Sequence, residues 1–464
     1  MHLDTVIKNG TIVTATDIYQ ADIGINNEKI VALGQNLEAT NSHLINAQGK
    51  YIFPGGIDVH THLDIPINTI SGKIFTKDDF ATGTIAAACG GTTTIVDHCF
   101  QDKGQTLTEA LNIWHGRAQK KAVIDYGFHV GISDFSEAIM EEMASLIKNG
   151  YPSYKVYMTY SFRLNDEEIL RTLACARDNG GLVCVHAENF YIINYLIDKF
   201  KKNGKNSPKY HPLSRPPIAE AEATNRVIKL AELINAPLYI VHVTCRESLK
   251  EIRRARKSGG KIMGETCPQY LLLSIDNYDL PDFYGAKYVL SPPLRSQENQ
   301  ADLWEGLIKG DLAVVATDHC PFDFQGQKDI GRDFFSDIPN GIPGIELRMP
   351  LLFDCGVNAG KISLQKFVAI TSTNPAKIFG MYPQKGSIAI GSDADLVIFD
   401  PTRKITIKKS ILHENVDYTP YEGLKINGYP VATLSRGKLI VKDGNFIGNH
   451  GDGRFLPRKN IEIL

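Results

Sequence analysis

Eight short apolar runs, separated by stretches of helical pattern, constrain the fold of this chain more than any other feature. The runs end near residues 55–63, 90–98, 123–132, 153–160, 181–188, 237–244, 261–267 and 311–319. Several of them, such as TTTIVD and LYIVHV, are continuously apolar and β-branched, as expected for parallel strands covered on both faces. Eight strand–helix units within about 330 residues favour a (β/α)8 barrel with insertions over an open α/β sheet.

Both ends of the chain have a different texture, with alternating polar and apolar residues that are typical of antiparallel strands. Residues 1–54 contain two candidate hairpins, one turning at Asn9-Gly10 and the other at Asn26-Asn27. The carboxy-terminal part repeats this texture in GSDADLVIFD, KITIK and VATLSRGKLIVKDGNFIG. We therefore predict a small β-sandwich assembled from both ends, in which residues 1–54 and 386–464 enclose a barrel of residues 55–385.

Composition argues against several classes of function. The chain of 464 residues carries a net charge of −2, which leaves no general attraction to nucleic acid or acidic lipid. Its 8 cysteines contain no C-x-x-C pair and are typical of reduced thiols in a cytosolic protein. Neither a signal peptide nor an apolar run of about 18 residues is recognisable. We therefore expect a cytoplasmic protein without nucleic-acid or membrane partners.

Four histidines stand at the carboxyl ends of predicted barrel strands, where all strands of such a barrel meet at one rim. His60 and His62 are two residues apart on the first strand, so their side chains point to the same side. His186 and His242 each end a later apolar strand. Taken singly, each of these residues is explained at least as well as a hydrogen-bonded histidine of the core.

Two charged residues break the apolar pattern of the strands. Asp318 ends the eighth run, AVVATDH, where it either caps the following segment or binds a cation. Lys155 lies within SYKVYMTY, although a buried ammonium group is energetically expensive. It occupies either an edge position from which the amine reaches solvent, or a buried position in which it loses its charge and becomes a ligand.

Considered together, these residues predict a metal site, because side chains from five strands would converge on one rim. The candidate ligands are His60, His62, Lys155, His186, His242 and Asp318. Imidazole and carboxylate ligands suit zinc best, with manganese, cobalt and iron as alternatives. Further polar residues follow the strands, and we interpret them as groups that orient or pack around the ligands. These are His98, His129, His319, Cys99, Cys267 and Cys320.

A series of motifs gives the chain a family resemblance. In chain order they are PGGIDVHTHLD, GTIAAACGGTTTIVDH, SYKVYMTY, VHAEN, YHPLSRPP, YIVHV, ETCPQYLLL, LSPPLR, VVATDHCPF and IPNGIPGIELR. In these motifs, and in the terminal segments KGSIAIGSDADLVIFDP and VDYTPYEG, the chain resembles the cyclic amidohydrolases. Within that group it is most similar to the dihydropyrimidinase and hydantoinase family, the bacterial D-phenylhydantoinases in particular.

The resemblance implies a binuclear centre of two divalent metal ions per subunit. It assigns His60, His62 and Asp318 to one ion, and His186 and His242 to the other. Lys155 would bridge the two ions as N6-carboxylysine, formed by reaction with carbon dioxide. This modification would explain an amine within a buried strand, because it turns an unwanted cation into an anionic ligand with two oxygens.

The resemblance also implies a reaction, the hydrolysis of the ring amide of 5-substituted hydantoins to N-carbamoyl amino acids. A hydroxide bridging the ions would attack the ring carbonyl, and Asp318 would pass the released proton to the leaving ring nitrogen. Tyr160 would stabilise the oxyanion, although packing over the barrel mouth explains this residue equally well. Ser291 and Asn340 would bind the imide of the substrate through their backbone.

The resemblance implies a homotetramer too, with the carboxy-terminal segment as an oligomerisation tail.

The choice of substrate depends on the loop after His62, LDIPINTISGKIFTKDDF. With Tyr157 and Phe162, this loop would form an apolar wall that favours aromatic or bulky hydantoins over dihydrouracil. The alternatives are a dihydropyrimidinase acting on dihydrouracil or dihydrothymine, an allantoinase, and a non-enzymatic scaffold homologue. The scaffold is disfavoured because all six candidate metal ligands are present.

Overall fold

The eight predicted runs form eight parallel strands of one sheet in the computed structural model, which describes residues 2–38, 42–459 and 461–464. In chain order they are β1 (Gly56–Thr61), β2 (Thr92–Cys99), β3 (Asp125–Gly131), β4 (Ser153–Tyr157), β5 (Leu182–His186), β6 (Leu238–Ile240), β7 (Ile262–Thr266) and β8 (Val314–Val315). Each strand pairs with its neighbours in the sequence. Every residue of these strands is buried, as parallel strands covered on both faces require.

The sheet closes into a barrel between its first and last strands. Thr61 and His319 form a parallel bridge. The N–H of Asp318 donates to the carbonyl oxygen of His60 (2.9 Å), and the N–H of His62 donates to that of His319 (2.9 Å). The predicted (β/α)8 barrel is thereby confirmed, and its closure joins the polar segment after β8 to the end of β1.

Helices follow the strands and cover the outside of the barrel. The α-helices of the described residues are Thr82–Cys89, Leu107–Ala118, Glu137–Lys148, Asp166–Asn179, Phe190–Lys202, Tyr210–Ser214, Pro217–Leu233, Arg246–Lys257, Pro268–Leu272, Glu298–Lys309, Arg348–Leu352, Leu364–Val368 and Asn374–Ile378. Shorter 3-10 or π segments are Ile275–Asp279, Tyr284–Tyr288, Lys328–Arg332, Phe335–Asp337, Phe353–Asn358, Ala369–Thr373 and Lys409–Ile411. Capping boxes at Thr106 and Asn165 begin two of the longer helices. None of the helices within the described ranges is long and apolar enough to cross a bilayer.

The two ends of the chain form two further sheets that share a core. The four-stranded sheet contains, in spatial order, Lys29–Gly34, Asp22–Asn26, Thr5–Lys8 and His43–Asn46. The seven-stranded sheet contains Asn445–Phe446, Lys438–Lys442, Lys425–Ser435, Leu396–Thr406, Tyr51–Pro54, Thr11–Val13 and Ile18–Gln20. Buried side chains from both sheets, among them Ile7, Ile25, Ile52, Leu396 and Ile398, belong to one cluster. The predicted sandwich built from both ends of the chain is therefore confirmed.

One of the two predicted amino-terminal hairpins is wrong. The strands on either side of Asn9-Gly10 lie in different sheets, since Thr5–Lys8 pairs with strands of the four-stranded sheet and Thr11–Val13 with strands of the other. Each of these two strands pairs with two strands from further along the chain, whereas in an isolated hairpin each would pair with only one. The second hairpin forms, but its turn lies one residue later than the predicted Asn26-Asn27: the turn residues are Asn27 and Glu28, at φ 48° and 68°.

The carboxy-terminal residues pack against the amino-terminal end of the barrel strands. The N–H of Tyr126 donates to the carbonyl oxygen of Arg454 (3.0 Å), and the N–H of Arg458 donates to that of Gly150 (3.0 Å). The side chain of Arg458 is buried and donates to the carbonyl oxygen of Phe128. The tail thus covers the end of the barrel opposite to the predicted site. Its role in oligomer formation and the domain boundaries after residues 54 and 385 stay predictions.

Candidate metal centre and active site

The closure of the barrel brings two histidines against one carboxylate. Oδ1 of Asp318 lies 3.2 Å from Nε2 of His60 and 2.9 Å from Nε2 of His62. Although burial opposes the charge of Asp318, the two imidazoles hold the pKa of this carboxyl well below its usual range. Burial lowers the pKa of His62 to about 4, so this ring is neutral, which is the form that binds metal ions.

The other two predicted histidines lie against this pair. The ring centroids of His186 and His242 are 4.6 Å apart, and those of His60 and His242 are 5.3 Å apart. Potential ligand atoms of His60, His242 and Asp318 lie within 4.8 Å of one another. The ends of β1, β5 and β6 and the segment after β8 therefore bring imidazole and carboxylate groups to one point.

Lys155 extends from β4 toward this group of side chains. The residue is 1% exposed, its Nζ has no hydrogen-bond partner among the described residues, and the amine lies 5.3 Å from the centre of the Tyr157 ring. Burial lowers the pKa of the amine to about 8, which increases the neutral, nucleophilic fraction at physiological pH. Of the two positions considered for Lys155, the solvent-reaching edge is wrong and the buried one is observed.

Several polar atoms at this rim are buried without a hydrogen-bond partner in the described part of the chain, among them Lys155 Nζ and His242 Nδ1. Nε2 of His60 lies 3.2 Å from Oδ1 of Asp318 but without the geometry of a hydrogen bond. Leaving such a group unpartnered costs roughly 1–3 kcal/mol. A bound metal ion would give these atoms a partner. The imidazole and carboxylate donors suit a borderline divalent ion such as zinc, so the residues present fit a metal centre.

Two buried glutamates hold the histidine rings, and the sequence patterns did not reveal either. Glu265 on β7 pairs with Nδ1 of His60. Glu188 accepts a hydrogen bond from Nε2 of His186 (2.8 Å) and pairs with Arg215 (2.7 Å). Because each carboxylate engages one ring nitrogen, the other nitrogen of that ring is left for a metal ion. The sequence did contain one indication: Glu265 lies within the otherwise apolar run KIMGETC, just as Lys155 lies within an apolar strand.

Replacing Glu265 by glutamine is expected to weaken zinc binding by about 10–100-fold, since His60 loses the charged acceptor that orients its ring. Calorimetric titration of the metal-free protein with zinc measures the change. Glu298→Gln, on an exposed helix start, is the control and should bind zinc as the wild type does. Equal affinities of the wild type and Glu265→Gln would contradict the orienting role.

Three residues of this rim adopt a left-handed backbone conformation. The φ angle is 72° at Tyr160, 39° at His242 and 54° at Asp318. Such conformations cost of order 1–3 kcal/mol in a non-glycine residue and persist only where the surrounding structure holds them. Their coincidence at one rim indicates that the barrel fixes these side chains in place at a cost in stability.

The six predicted metal ligands line a cavity of about 1050 Å³. Tyr160, Ser291 and Asn340, the predicted substrate residues, line it as well. Ser291 Oγ and Asn340 Oδ1 are buried and have no hydrogen-bond partner within the described ranges. Burial raises the pKa of Tyr160 to about 12, so its hydroxyl stays protonated and can donate a hydrogen bond at neutral pH. The structure thus brings the predicted metal ligands and the predicted substrate residues together.

One side of the cavity is apolar. The loop after β1 forms a hairpin of Pro66–Thr69 and Gly72–Phe75 that lines it. The rings of Tyr157 and Phe162 are 5.1 Å apart. Phe100, which no sequence motif singled out, stacks on Tyr157 at 5.9 Å. The loop, Tyr157 and Phe162 therefore lie together as expected, and Phe100 extends the wall that they form.

The remaining histidines near the strand ends differ in their surroundings. His129 is held by a serine hydroxyl and a backbone carbonyl, and His319 by a buried aspartate. Nδ1 of His98 donates to the carbonyl oxygen of Thr61, the last residue of β1 (3.1 Å), and one nitrogen of His98 lies within 4.8 Å of ligand atoms of His60 and His62. Burial keeps the pKa of His98 well below the usual value, so its ring is neutral. His98 is therefore the nearest additional imidazole to the predicted ligand set.

Comparison with known proteins decides the family. The profile of the amidohydrolase family matches residues 51–440, which is well over half of the chain. The chain belongs to the amidohydrolase family. The profile of the urease α-subunit amino-terminal domain matches residues 1–52, the first part of the sandwich.

This amidohydrolase is similar over nearly its whole length to proteins named as hydantoinases. It is 50% identical over 462 residues to the D-hydantoinase of Geobacillus stearothermophilus, covering 99% of this chain and 97% of that protein. It is 46% identical over 457 residues to a D-phenylhydantoinase of Escherichia coli, covering 98% of both.

Solved structures agree with this similarity. The dihydropyrimidinase from Brevibacillus agri NCHU1002 superposes with a TM-score of 0.97 at 50% identity, covering 99% of both chains. The L-hydantoinase (dihydropyrimidinase) from Arthrobacter aurescens superposes with a TM-score of 0.87 at 28% identity, covering 98% of this chain and 100% of that one. The predicted resemblance is confirmed: this amidohydrolase is of the hydantoinase and dihydropyrimidinase type, a hydrolase acting on cyclic amides.

Proposed function

We propose that this amidohydrolase opens the ring of 5-substituted hydantoins, adding water across the ring amide to yield N-carbamoyl amino acids. The observation that carries the proposal is one cavity lined both by six potential metal ligands and by an aromatic wall. Identities of 50% and 46% to a D-hydantoinase and a D-phenylhydantoinase support the reaction.

The proposed centre holds two divalent ions, with zinc as the first choice and manganese, cobalt and iron as alternatives. His60, His62 and Asp318 are the proposed ligands of one ion, and His186 and His242 those of the other. Lys155 is shared as N6-carboxylysine: its neutral amine adds to carbon dioxide, and loss of a proton leaves an anionic carbamate. When bound, the two ions would activate water and polarise the ring carbonyl. Elemental analysis of the purified protein tests the count, with two equivalents per chain expected.

Two residues of the chain would take part in ring opening, one by transferring a proton and the other by stabilising the negative charge that develops on oxygen. Asp318 is ionised, because the neighbouring imidazoles hold its pKa well below the usual range against the effect of burial. In this ionised form, Asp318 has an oxygen that can accept the proton released from water and deliver it to the leaving ring nitrogen. Tyr160 is protonated and donates a hydrogen bond to the oxygen on which negative charge develops.

The two sides of the cavity would bind different parts of the substrate. Ser291 and Asn340 would bind the imide of the ring through their main-chain groups, since the imide offers one N–H donor and two carbonyl acceptors. The rings of Phe100, Tyr157 and Phe162 would cover the substituent at carbon 5. An aromatic substituent is favoured there, because each Å² of apolar surface removed from water contributes about 25 cal/mol to binding.

A dihydropyrimidinase acting on dihydrouracil is the second candidate, because the relative from Brevibacillus agri carries that name. Turnover of 5-phenylhydantoin, dihydrouracil and allantoin by the metal-replete enzyme separates the candidates. We expect kcat/KM for 5-phenylhydantoin to exceed that for dihydrouracil about tenfold, the equivalent of ~1.4 kcal/mol of apolar contact. Allantoin should react more slowly still, since its polar substituent would face the wall.

The variant Phe162→Ala provides the matched control for this comparison. It removes a ring from the wall and should lower kcat/KM for 5-phenylhydantoin while leaving that for dihydrouracil nearly unchanged. A wild-type preference for dihydrouracil would favour the second candidate and contradict the proposed role of the wall.

We further propose a homotetramer of the cytoplasm, on the strength of the family resemblance. Light scattering of the purified protein tests the assembly. A mass of about four chains, each of 51.3 kDa, is expected.

A further inference from the structure

A second buried lysine, Lys328, lies near the cavity and has no part in the reaction described above. It begins the short segment Lys328–Arg332 and is 0% exposed. It forms no ion pair with the described residues; its Nζ donates instead to the carbonyl oxygens of Val289 (2.8 Å) and Pro339 (2.9 Å). Burial lowers the pKa of this amine to about 7, and a neutral amine has two N–H donors, one for each of these carbonyls.

The two carbonyl groups belong to the two segments that present Ser291 and Asn340 to the cavity. Val289 lies two residues before Ser291, and Pro339 lies directly before Asn340. The N–H of Gly341 donates to the same oxygen of Val289 (3.0 Å). The segments are therefore joined at one point by the lysine amine and by a backbone donor.

Close packing limits the movement of the short segment that carries Lys328. Gly331 lies in the same short segment, and a methyl group added to it would be 2.4 Å from the backbone nitrogen of Ile338. A methyl group added to Gly341 would be 2.3 Å from the carbonyl oxygen of Cys320. The segment that carries the lysine and residues 338–341 therefore have little freedom to move relative to each other.

We propose that Lys328 is a positioning residue, which sets the spacing between the main-chain groups of Ser291 and Asn340 and so selects substrates by their imide. The inference rests on the proposed function, in which those two residues bind the imide. A displacement of about 1 Å at a binding group costs up to ~10²-fold in kcat/KM, and at a group that only binds the substrate this loss is expected in KM. A lysine whose amine donates to both halves of the imide site is placed to prevent that displacement.

The test compares 5-phenylhydantoin with its N3-methyl derivative, which lacks the imide N–H. The wild-type enzyme should strongly prefer the unmethylated ring. In Lys328→Met we expect KM for 5-phenylhydantoin to rise about tenfold and the preference to fall about fivefold, with kcat and metal content nearly unchanged. A purely structural role would lower the amount of folded enzyme without changing the ratio between the two substrates.

Two further variants complete the experiment. Lys328→Gln keeps an N–H donor at this position, so it should recover part of the preference, and it carries the test if Lys328→Met does not fold. Lys287→Met is the matched control: this amine belongs to the same region but stacks on Tyr284 (4.4 Å) and should leave the preference as in the wild type.

The outcomes separate this inference from the proposed function. An unchanged preference and KM in the folded Lys328 variants would overturn the positioning role and leave the proposed function standing. Equal turnover of both substrates by the wild type would overturn imide binding, and the inference with it, but not ring hydrolysis. Failure of the wild type to hydrolyse 5-phenylhydantoin would overturn both.

Discussion

Replacing Lys155 by alanine is expected to lower kcat/KM for 5-phenylhydantoin by about 10⁴-fold, because the variant loses the ligand proposed to be shared by both metal ions. Metal content should fall below two equivalents per chain. Nζ of Lys155 has no hydrogen-bond partner among the described residues, so the change removes no polar contact on which the fold depends. Loss of activity with a preserved circular dichroism spectrum is therefore the expected result.

Short carboxylic acids supply the control for this experiment. The space left by the side chain in Lys155→Ala has room for a small carboxylate, so acetate should restore part of the metal content and the activity. Lys155→Met fills the same space with an apolar side chain and should not respond to acetate. Full metal content and activity in Lys155→Ala, with no gain from added acid, would contradict the bridging role.

Lys385→Met is expected to destabilise the protein by about 3–5 kcal/mol, the usual cost of leaving buried charges without their partner. The amine, with its side chain 1% exposed, lies 2.6 Å from Asp125, 3.0 Å from Asp393 and 2.6 Å from Asp395. Asp125 begins β3 of the barrel, whereas Asp395 directly precedes the sandwich strand Leu396–Thr406. The cluster thus joins the two parts of the fold, and the midpoint of urea unfolding measures its loss.

The stability deficit of Lys385→Met should shrink as the pH is lowered from about 8 to about 5. Asp125 keeps Arg436 and Asp393 keeps Lys29, but Asp395 has no other ion-pair partner among the described residues. Without the ammonium group, burial and repulsion by Asp125 therefore raise the pKa of Asp395 in the folded state above its unfolded value. The folded variant then binds more protons than the unfolded chain, so its stability rises as the pH falls through that raised pKa.

Lys29→Met is the matched control for the buried cluster. Lys29 pairs with the same Asp393 at 2.5 Å, but its side chain is 41% exposed. Its removal should therefore cost about 1 kcal/mol or less. Equal losses of stability in Lys29→Met and Lys385→Met would contradict the argument from burial.

The barrel and the candidate ligands were predictable because each depends on a local pattern. A continuous run of β-branched residues forms a strand covered on both faces, and the residue that follows it reaches the rim by chain geometry alone. His60, Lys155 and Asp318 could be singled out in this way, as polar residues in or after apolar runs. The turn at Asn9-Gly10 shows the limit of such patterns, since its two strands pair with remote partners in different sheets.

The residues that the patterns did not reveal act through contacts between distant segments. Glu265 meets His60 from 205 residues away. Phe100 belongs to the cavity wall only because β2 and β4 lie on the same barrel. Lys328 is recognisable as a link between two segments only once its acceptors, Val289 and Pro339, are known.

By itself, the sequence determined the number and order of the barrel strands and the kinds of ligand at their ends, because periodicity and residue type act over a few neighbouring residues. Only the tertiary structure decided which ring nitrogens are engaged by glutamates, that the amine of Lys155 is buried without a hydrogen-bond partner among the described residues, and that Lys328 joins two substrate segments. Those properties depend on burial and hydrogen-bond geometry between segments far apart in the chain, which no local pattern encodes.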